Sequence, residues 1–203
     1  RKIDQELSTL GPQFSENVLK ATNAYEMVIE NRNDLLGLPD GAIEAAGFEA
    51  QKKGHKEKWI FNLQMPSLLP FLQYAQNREL RKKMWQANAT RSFKDNFDNQ
   101  ELIKKIVQLR QERAKLIGFK THADFVLAER MAETTETVFT FLNKLLEPSK
   151  KTAEKELAEL KGFKKSIDGS EEVMPWDFSY YSEKLKEKKY AFNEEELRPY
   201  FQL

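Results

Sequence analysis

The chain has 203 residues, enough for one large domain or two small ones with a sizeable core. Apolar residues make up 40% and charged residues 32%, a balance that excludes a membrane-embedded or an intrinsically disordered chain. The formal net charge of +1 lacks the basic excess of a dedicated nucleic-acid binder, and the absence of cysteine removes disulfides, thiolate catalysis, Fe–S clusters and cysteine zinc sites.

Few glycines and prolines interrupt the sequence, so long elements are expected. Ile3, Leu7, Leu10, Phe14, Val18, Ala21, Tyr25 and Val28 step by three or four. This spacing predicts one helix from about Ile3 to Asn33, bent or split at Gly11-Pro12. A short helix follows from about Asp40 to Lys53 and ends on Gly54 as a C-terminal cap. Trp59-Ile60-Phe61 is rich in strand formers and Pro66 halts it, so Trp59 to Leu63 is the one strand expected.

From Pro66 onward the pattern is helical. Asn77 is a predicted N-cap, as are Asp98 (paired with Glu101) and Thr121 (paired with Asp124). Gly118 stops the helix that carries Leu102, Ile106 and Leu109. The helix opened by Thr121 should reach Met131. A long amphipathic helix is expected from Glu136 to about Leu160, bent at Pro148. Residues 161–174 form the best loop candidate, with Gly162 and Gly169. Pro175-Trp176-Asp177 then opens a helix through Tyr180, Tyr181 and Leu185, and Asn193 caps a last one. The fold expected is mainly α, with a single helical segment over 1–203.

Little in the sequence carries chemistry by itself. A zinc hydrolase needs converging histidines and carboxylates, most compactly as His-Glu-x-x-His on one helix face. No such motif occurs, and the only histidines are His55, in a basic turn, and His122, just after the Thr121 cap. Both read as ordinary surface or half-buried histidines. No Gly-x-Ser-x-Gly, phosphate-binding loop or dinucleotide fingerprint is present. The lysine runs alternate with glutamates at helical spacing, so no nucleic acid is expected as a partner. No apolar run approaches the length of a membrane span. The aromatic series Trp176, Phe178, Tyr180, Tyr181, Tyr190, Phe192, Tyr200 and Phe201 reads mainly as inter-helix packing.

Several stretches in order carry a resemblance. They are Asn77-Arg78-Glu79-Leu80-Arg81 with Ala87 and Arg91, the run from Leu109 through Arg113 to Phe119, Ala123-Asp124, and Met131-Ala132-Glu133-Thr134. Pro175-Trp176-Asp177, Tyr180-Tyr181 and Arg198-Pro199-Tyr200-Phe201 complete the series. This series resembles the helical region upstream of the His-Glu-x-x-His motif in the M3 family of zinc metallopeptidases. That family is the thimet oligopeptidase and bacterial peptidyl-dipeptidase group, and the peptidyl-dipeptidase branch looks nearest. Thr135 departs from the pattern, since proline is common there; the change concerns a helix start.

The resemblance implies a two-lobed, mostly helical peptidase around a deep channel that admits short peptides. It also implies a zinc held by a His-Glu-Phe-Gly-His helix and a further Glu, with peptide hydrolysis by a zinc-polarised water and Glu as base. No position of 1–203 matches those residues. No catalytic, cofactor-binding or metal residue is therefore assigned here. Zn2+ is expected in the parent protein and not in this chain, and the isolated chain is expected to be inactive. The sequence begins at Arg1 without an initiator Met and ends on Tyr200-Phe201-Gln202-Leu203, so a piece of a longer protein is expected. Its partners are then short peptides and the missing catalytic half, with self-association through the aromatic stretch from Trp176 to Leu203. A cytoplasmic location is expected, with export of the parent left open. The alternative is a free-standing helical interaction module without enzymatic activity.

Overall fold

The computed structural model describes residues 1–191 and Tyr200. Among these the elements are α1 (Lys2–Ala24), β1 (Glu26–Ile29), a 3-10 turn (Arg32–Leu35), α2 (Asp40–Lys52), β2 (Trp59–Asn62), α3 (Met65–Tyr74), α4 (Arg78–Ala89), α5 (Gln100–Leu116), α6 (His122–Leu127), α7 (Thr135–Asp168) and α8 (Pro175–Tyr190). The fold is mainly α with one small sheet. The helix expected at Asn193, and Phe192 and Phe201 of the aromatic series, lie outside the described residues.

The chain divides into two compact units, Arg1–Ala21 with Ser92–Glu156, and Thr22–Arg91 with Leu157–Leu203. In the first unit α1 and α5 run antiparallel. The start of α1 meets the end of α5 through Asp4 and Arg113, 3.0 Å apart. Near the other end of the pair, Asn99 is buried, accepts from the Asn17 amide at 2.8 Å and donates to the Phe14 carbonyl at 3.1 Å. This places the α5 N-cap at Asn99, one residue after the Asp98 that the spacing predicted. Asp98 instead accepts from the Gln100 N–H at 2.9 Å. Gly11-Pro12 does not split α1, which runs through both residues. At the other end of α5, Phe119 N–H reaches the Ala114 carbonyl and Gly118 N–H reaches Lys115, closing the helix as predicted. The same pair of bonds ends α2 at Gly54. Thr121 and Asp124 form a complete capping box, although α6 stops at Leu127, short of the expected Met131.

The second unit holds the sheet. β1 and β2 pair antiparallel, Met27 opposite Phe61 and Ile29 opposite Trp59. Helical spacing had placed Tyr25 and Val28 on the first helix, and only β2 was expected as a strand. The residues 26–29 also alternate, with Met27 and Ile29 buried and Glu26 and Val28 exposed. Pairing with β2 rewards that period-two pattern, so tertiary contact overrides the local helical reading. The core gathers Met27, Ile29, Leu35, Leu38, Phe61, Leu68, Phe71 and Met84, with the Phe61 and Phe71 rings edge-on at 4.7 Å. Burying each such side chain stabilises the unit by about 1.5–3 kcal/mol.

Asn77 caps α4 as predicted, accepting from Glu79 and Leu80 N–H, and its amide also donates to Asp34 at 2.8 Å. One side chain thus fixes the 3-10 turn to the helix start. Gly37 sits beside it with φ +88°, and a Cβ there would lie 2.3 Å from the Tyr74 carbonyl oxygen. The close approach and the left-handed backbone both require glycine. α7 is longer than expected: it passes through Pro148 and continues to Asp168, so the break predicted over 161–174 starts only at Gly169.

Candidate functional site

The densest polar arrangement lies where α4 meets α8. Arg78 and Arg81 are one turn apart and share a face of α4. Asp177 is the third residue of α8, placed by the predicted Pro175 start, and it caps that start by accepting from Met174 N–H at 3.2 Å. Arg78 grips Asp177 with two parallel bonds, Nε to Oδ1 at 2.9 Å and Nη2 to Oδ2 at 2.8 Å. Arg81 approaches Asp177 Oδ1 at 3.3 Å and donates to the carbonyls of Trp176 at 3.2 Å, Ala75 at 2.7 Å and Gln76 at 3.1 Å. Its guanidinium also lies 3.9 Å from the centre of the Tyr180 ring. Arg81 is 1% exposed and Asp177 fully buried.

Burial opposes ionisation of Asp177, but the bonds from Arg78, Met174 N–H and Arg81 outweigh it and hold its carboxyl below the usual range. Burial lowers the Arg81 pKa against the pull of Asp177. Arg78, half in solvent, is raised by its bonds to Asp177. Trp85 and Trp176 meet edge-on at 5.9 Å beside this network. Two sequence stretches almost a hundred residues apart are thereby joined by a charge that neither helix can lose cheaply.

A second cluster ties α7 to α8. Lys164, nearly buried, donates to Asp168 Oδ2 at 2.7 Å and to the Ser170 carbonyl at 3.3 Å. The Tyr181 hydroxyl donates to the same Asp168 oxygen at 2.7 Å. Burial disfavours the Asp168 carboxylate, yet the bonds from Lys164, Tyr181 and Ser170 N–H lower its pKa to about 2. Burial, then the Asp168 bond, raises the Tyr181 hydroxyl far above its ordinary value. Sequence reading placed Asp168 in a polar break and missed this cluster. The signal was the Lys164–Asp168 spacing of four on a helix that runs further than its apolar pattern suggested.

The two histidines are not brought together: His55 is exposed in the second unit and His122 opens α6 in the first. His122 Nδ1 is buried without a partner, and burial followed by Arg110 and Arg113 lowers its pKa. Among the described residues no three His, Cys, Asp or Glu side chains converge to hold a metal ion, and no helix is long and apolar enough to cross a membrane. The aromatic series divides. Trp176, Tyr180 and Tyr181 turn inward as packing, while Phe178, Tyr190 and Tyr200 are exposed.

The motifs that meet at Asp177 fall inside a longer match. Residues 71–203 match the sequence model of peptidase family M3. The chain belongs to peptidase family M3. Its similarity to oligopeptidase A of Haemophilus influenzae is 46% identity over 98% of this chain and 30% of that protein. For oligopeptidase A of Escherichia coli the identity is 39% over the same shares. For the dipeptidyl carboxypeptidase of Escherichia coli it is 30% over 99% of this chain and 30% of that one. The higher identity with oligopeptidase A corrects the expectation that the peptidyl-dipeptidase branch is nearest. The M3 chain described here spans about 30% of the length of these relatives.

Proposed function

We propose that the chain is one segment of a zinc-dependent peptidase that hydrolyses short peptides in the cytoplasm, and that this segment forms scaffold and channel wall. The observation that supports this role is the Arg78–Arg81–Asp177 network, buried and paired among motifs of the family match. Such a network holds helices together and offers no free acid, base or nucleophile to a substrate. The groove of about 460 Å3 between α2, β2 and α3 mixes apolar lining from Ala42, Ala45, Ile60 and Pro66 with the neutral polar Asn62, Gln64 and Ser67, and Glu49 is the only charged residue along it among the described residues.

The residues present do not fit a resident zinc. No group of metal-ligating side chains converges among the described residues, and the 203-residue sequence has no His-Glu-x-x-His. No step of hydrolysis is therefore assigned to this chain; the metal and its chemistry belong to the remainder of the parent. The full reading frame tests this. A downstream His-Glu-x-x-His and one zinc per full-length polypeptide are expected. A frame that ends at Leu203, with no such motif, would overturn the reading and leave a helical interaction module in its place.

A further inference from the structure

The uncovered part of α7 is the largest feature that neither polar cluster explains. α7 has 34 residues, and every residue from 139 to 159 is exposed. Its first turns are nevertheless amphipathic. Val138, Phe139, Phe141, Leu142, Leu145 and Leu146 fall on one arc of less than half the circumference. The five from Phe139 to Leu146 are 49% to 64% exposed. Glu136, Thr140, Asn143, Lys144 and Glu147 fill the opposite face. Pro148, inside the same helix, removes one backbone bond and disfavours the helix by about 3 kcal/mol. An amphipathic helix owes most of its stability to the face it buries, so this arc demands a partner.

Resting on the peptidase reading above, we infer that the α7 face over 138–146 is the seat of a further helical segment of the same polypeptide, drawn from the part of its relatives' length that this chain does not span. A second copy of the chain fits the face poorly. The large apolar residues cover little more than one heptad before Glu147, Pro148, Ser149, Lys150 and Lys151 interrupt them, whereas a coiled coil needs three or four. Five side chains at roughly 100 Å2 each would bury roughly 500 Å2, short of the roughly 800 Å2 per partner of a stable complex. A segment of the same polypeptide needs less area, because tethering removes most of the cost of association. A membrane surface is disfavoured by the polar face, which mixes Glu136 and Glu147 with Lys144 instead of carrying the basic residues of interfacial helices. The part of the relatives that this chain does not span, about 70% of their length, supplies ample chain.

Hydrogen exchange read by mass spectrometry tests the inference, comparing residues 138–146 in the 203-residue chain and in the full-length gene product, both in chelator. The expected result is exchange at least 100-fold slower in the full-length protein. The Leu142→Asp, Leu146→Asp double variant should lower the melting temperature of the full-length protein. It should leave the melting curve of the 203-residue chain unchanged. Equal exchange in the two proteins would overturn the inference. So would slow exchange in the 203-residue chain accompanied by a dimer in sedimentation, which would assign the face to a second copy. Neither readout depends on activity. A protected face in a full-length protein without peptidase activity would sink the peptidase reading alone, and an active protein with an unprotected face would sink this inference alone.

Discussion

Replacing Asp177 with Asn isolates the charge that joins α4 to α8. The side chain keeps its shape, but Arg81, 1% exposed, loses its only carboxylate partner among the described residues, and Arg78 loses both of its bonds to a carboxylate. Removing one partner of a buried pair costs about 3–5 kcal/mol because the other charge stays buried. Arg81 retains the carbonyls of Trp176, Ala75 and Gln76, which places the expected loss near the lower end, about 3 kcal/mol. The measurement is unusually local. All three tryptophans, Trp59, Trp85 and Trp176, belong to the second unit, so their fluorescence in urea follows that unit. With a slope of about 1.5–2 kcal/mol per molar, the midpoint should fall by about 1.5–2 M. Arg78→Ala, at a half-exposed position, should cost about 1–2 kcal/mol. Its effect should add to that of Asp177→Asn only in part, as expected for residues in direct contact. A midpoint shift below about 0.5 M for Asp177→Asn, or full additivity with Arg78→Ala, would refute the clamp.

Three further outcomes follow from the same geometry. Gly37→Ala places a methyl 2.3 Å from the Tyr74 carbonyl oxygen at φ +88°, and should destabilise the second unit by about 2–4 kcal/mol in the tryptophan assay. Asp168 has its pKa lowered from 3.8 to about 2, so its stabilising effect is complete above pH 4 and is lost as pH falls towards 2. Asp168→Asn should remove that part of the acid slope, on the order of 1 kcal/mol after solvent screening, and an unchanged slope between pH 4 and 2 would contradict the cluster. The 203-residue chain should hold no stoichiometric zinc after purification in metal-free buffer; elemental analysis finding one zinc per chain would contradict the assignment of the metal to the rest of the parent.

The legibility of the sequence followed the range of the interactions. Caps are local, and Asn77, Thr121 with Asp124, Gly54 and Gly118 act where spacing placed them. Thr135, at the position where the family pattern commonly has proline, starts α7, held by the Thr134 hydroxyl accepting from Thr137 N–H at 3.1 Å. β1 was hidden because four residues satisfy helical and alternating patterns alike, and only β2, thirty residues on, decides between them. The site was legible as two motifs and illegible as a network. Arg78, Arg81, Trp176 and Asp177 stood in the family series, but their meeting is a tertiary fact. One local sign was present: Arg81 shares the buried stripe of α4 with Met84, an arginine where an apolar residue belongs. Of the aromatic stretch from Trp176 onward, Phe178, Tyr190 and Tyr200 are exposed among the described residues, and α7 carries a further uncovered apolar face that the spacing did not announce.

Cleavage of a short fluorogenic peptide tests most directly the proposal that this chain is a non-catalytic part of a longer peptidase. The 203-residue chain and the full-length gene product are assayed side by side, with and without a chelator. Hydrolysis is expected from the full-length protein alone, abolished by the chelator and restored by zinc. Chelator-sensitive hydrolysis by the 203-residue chain, or none by the full-length protein, would contradict it.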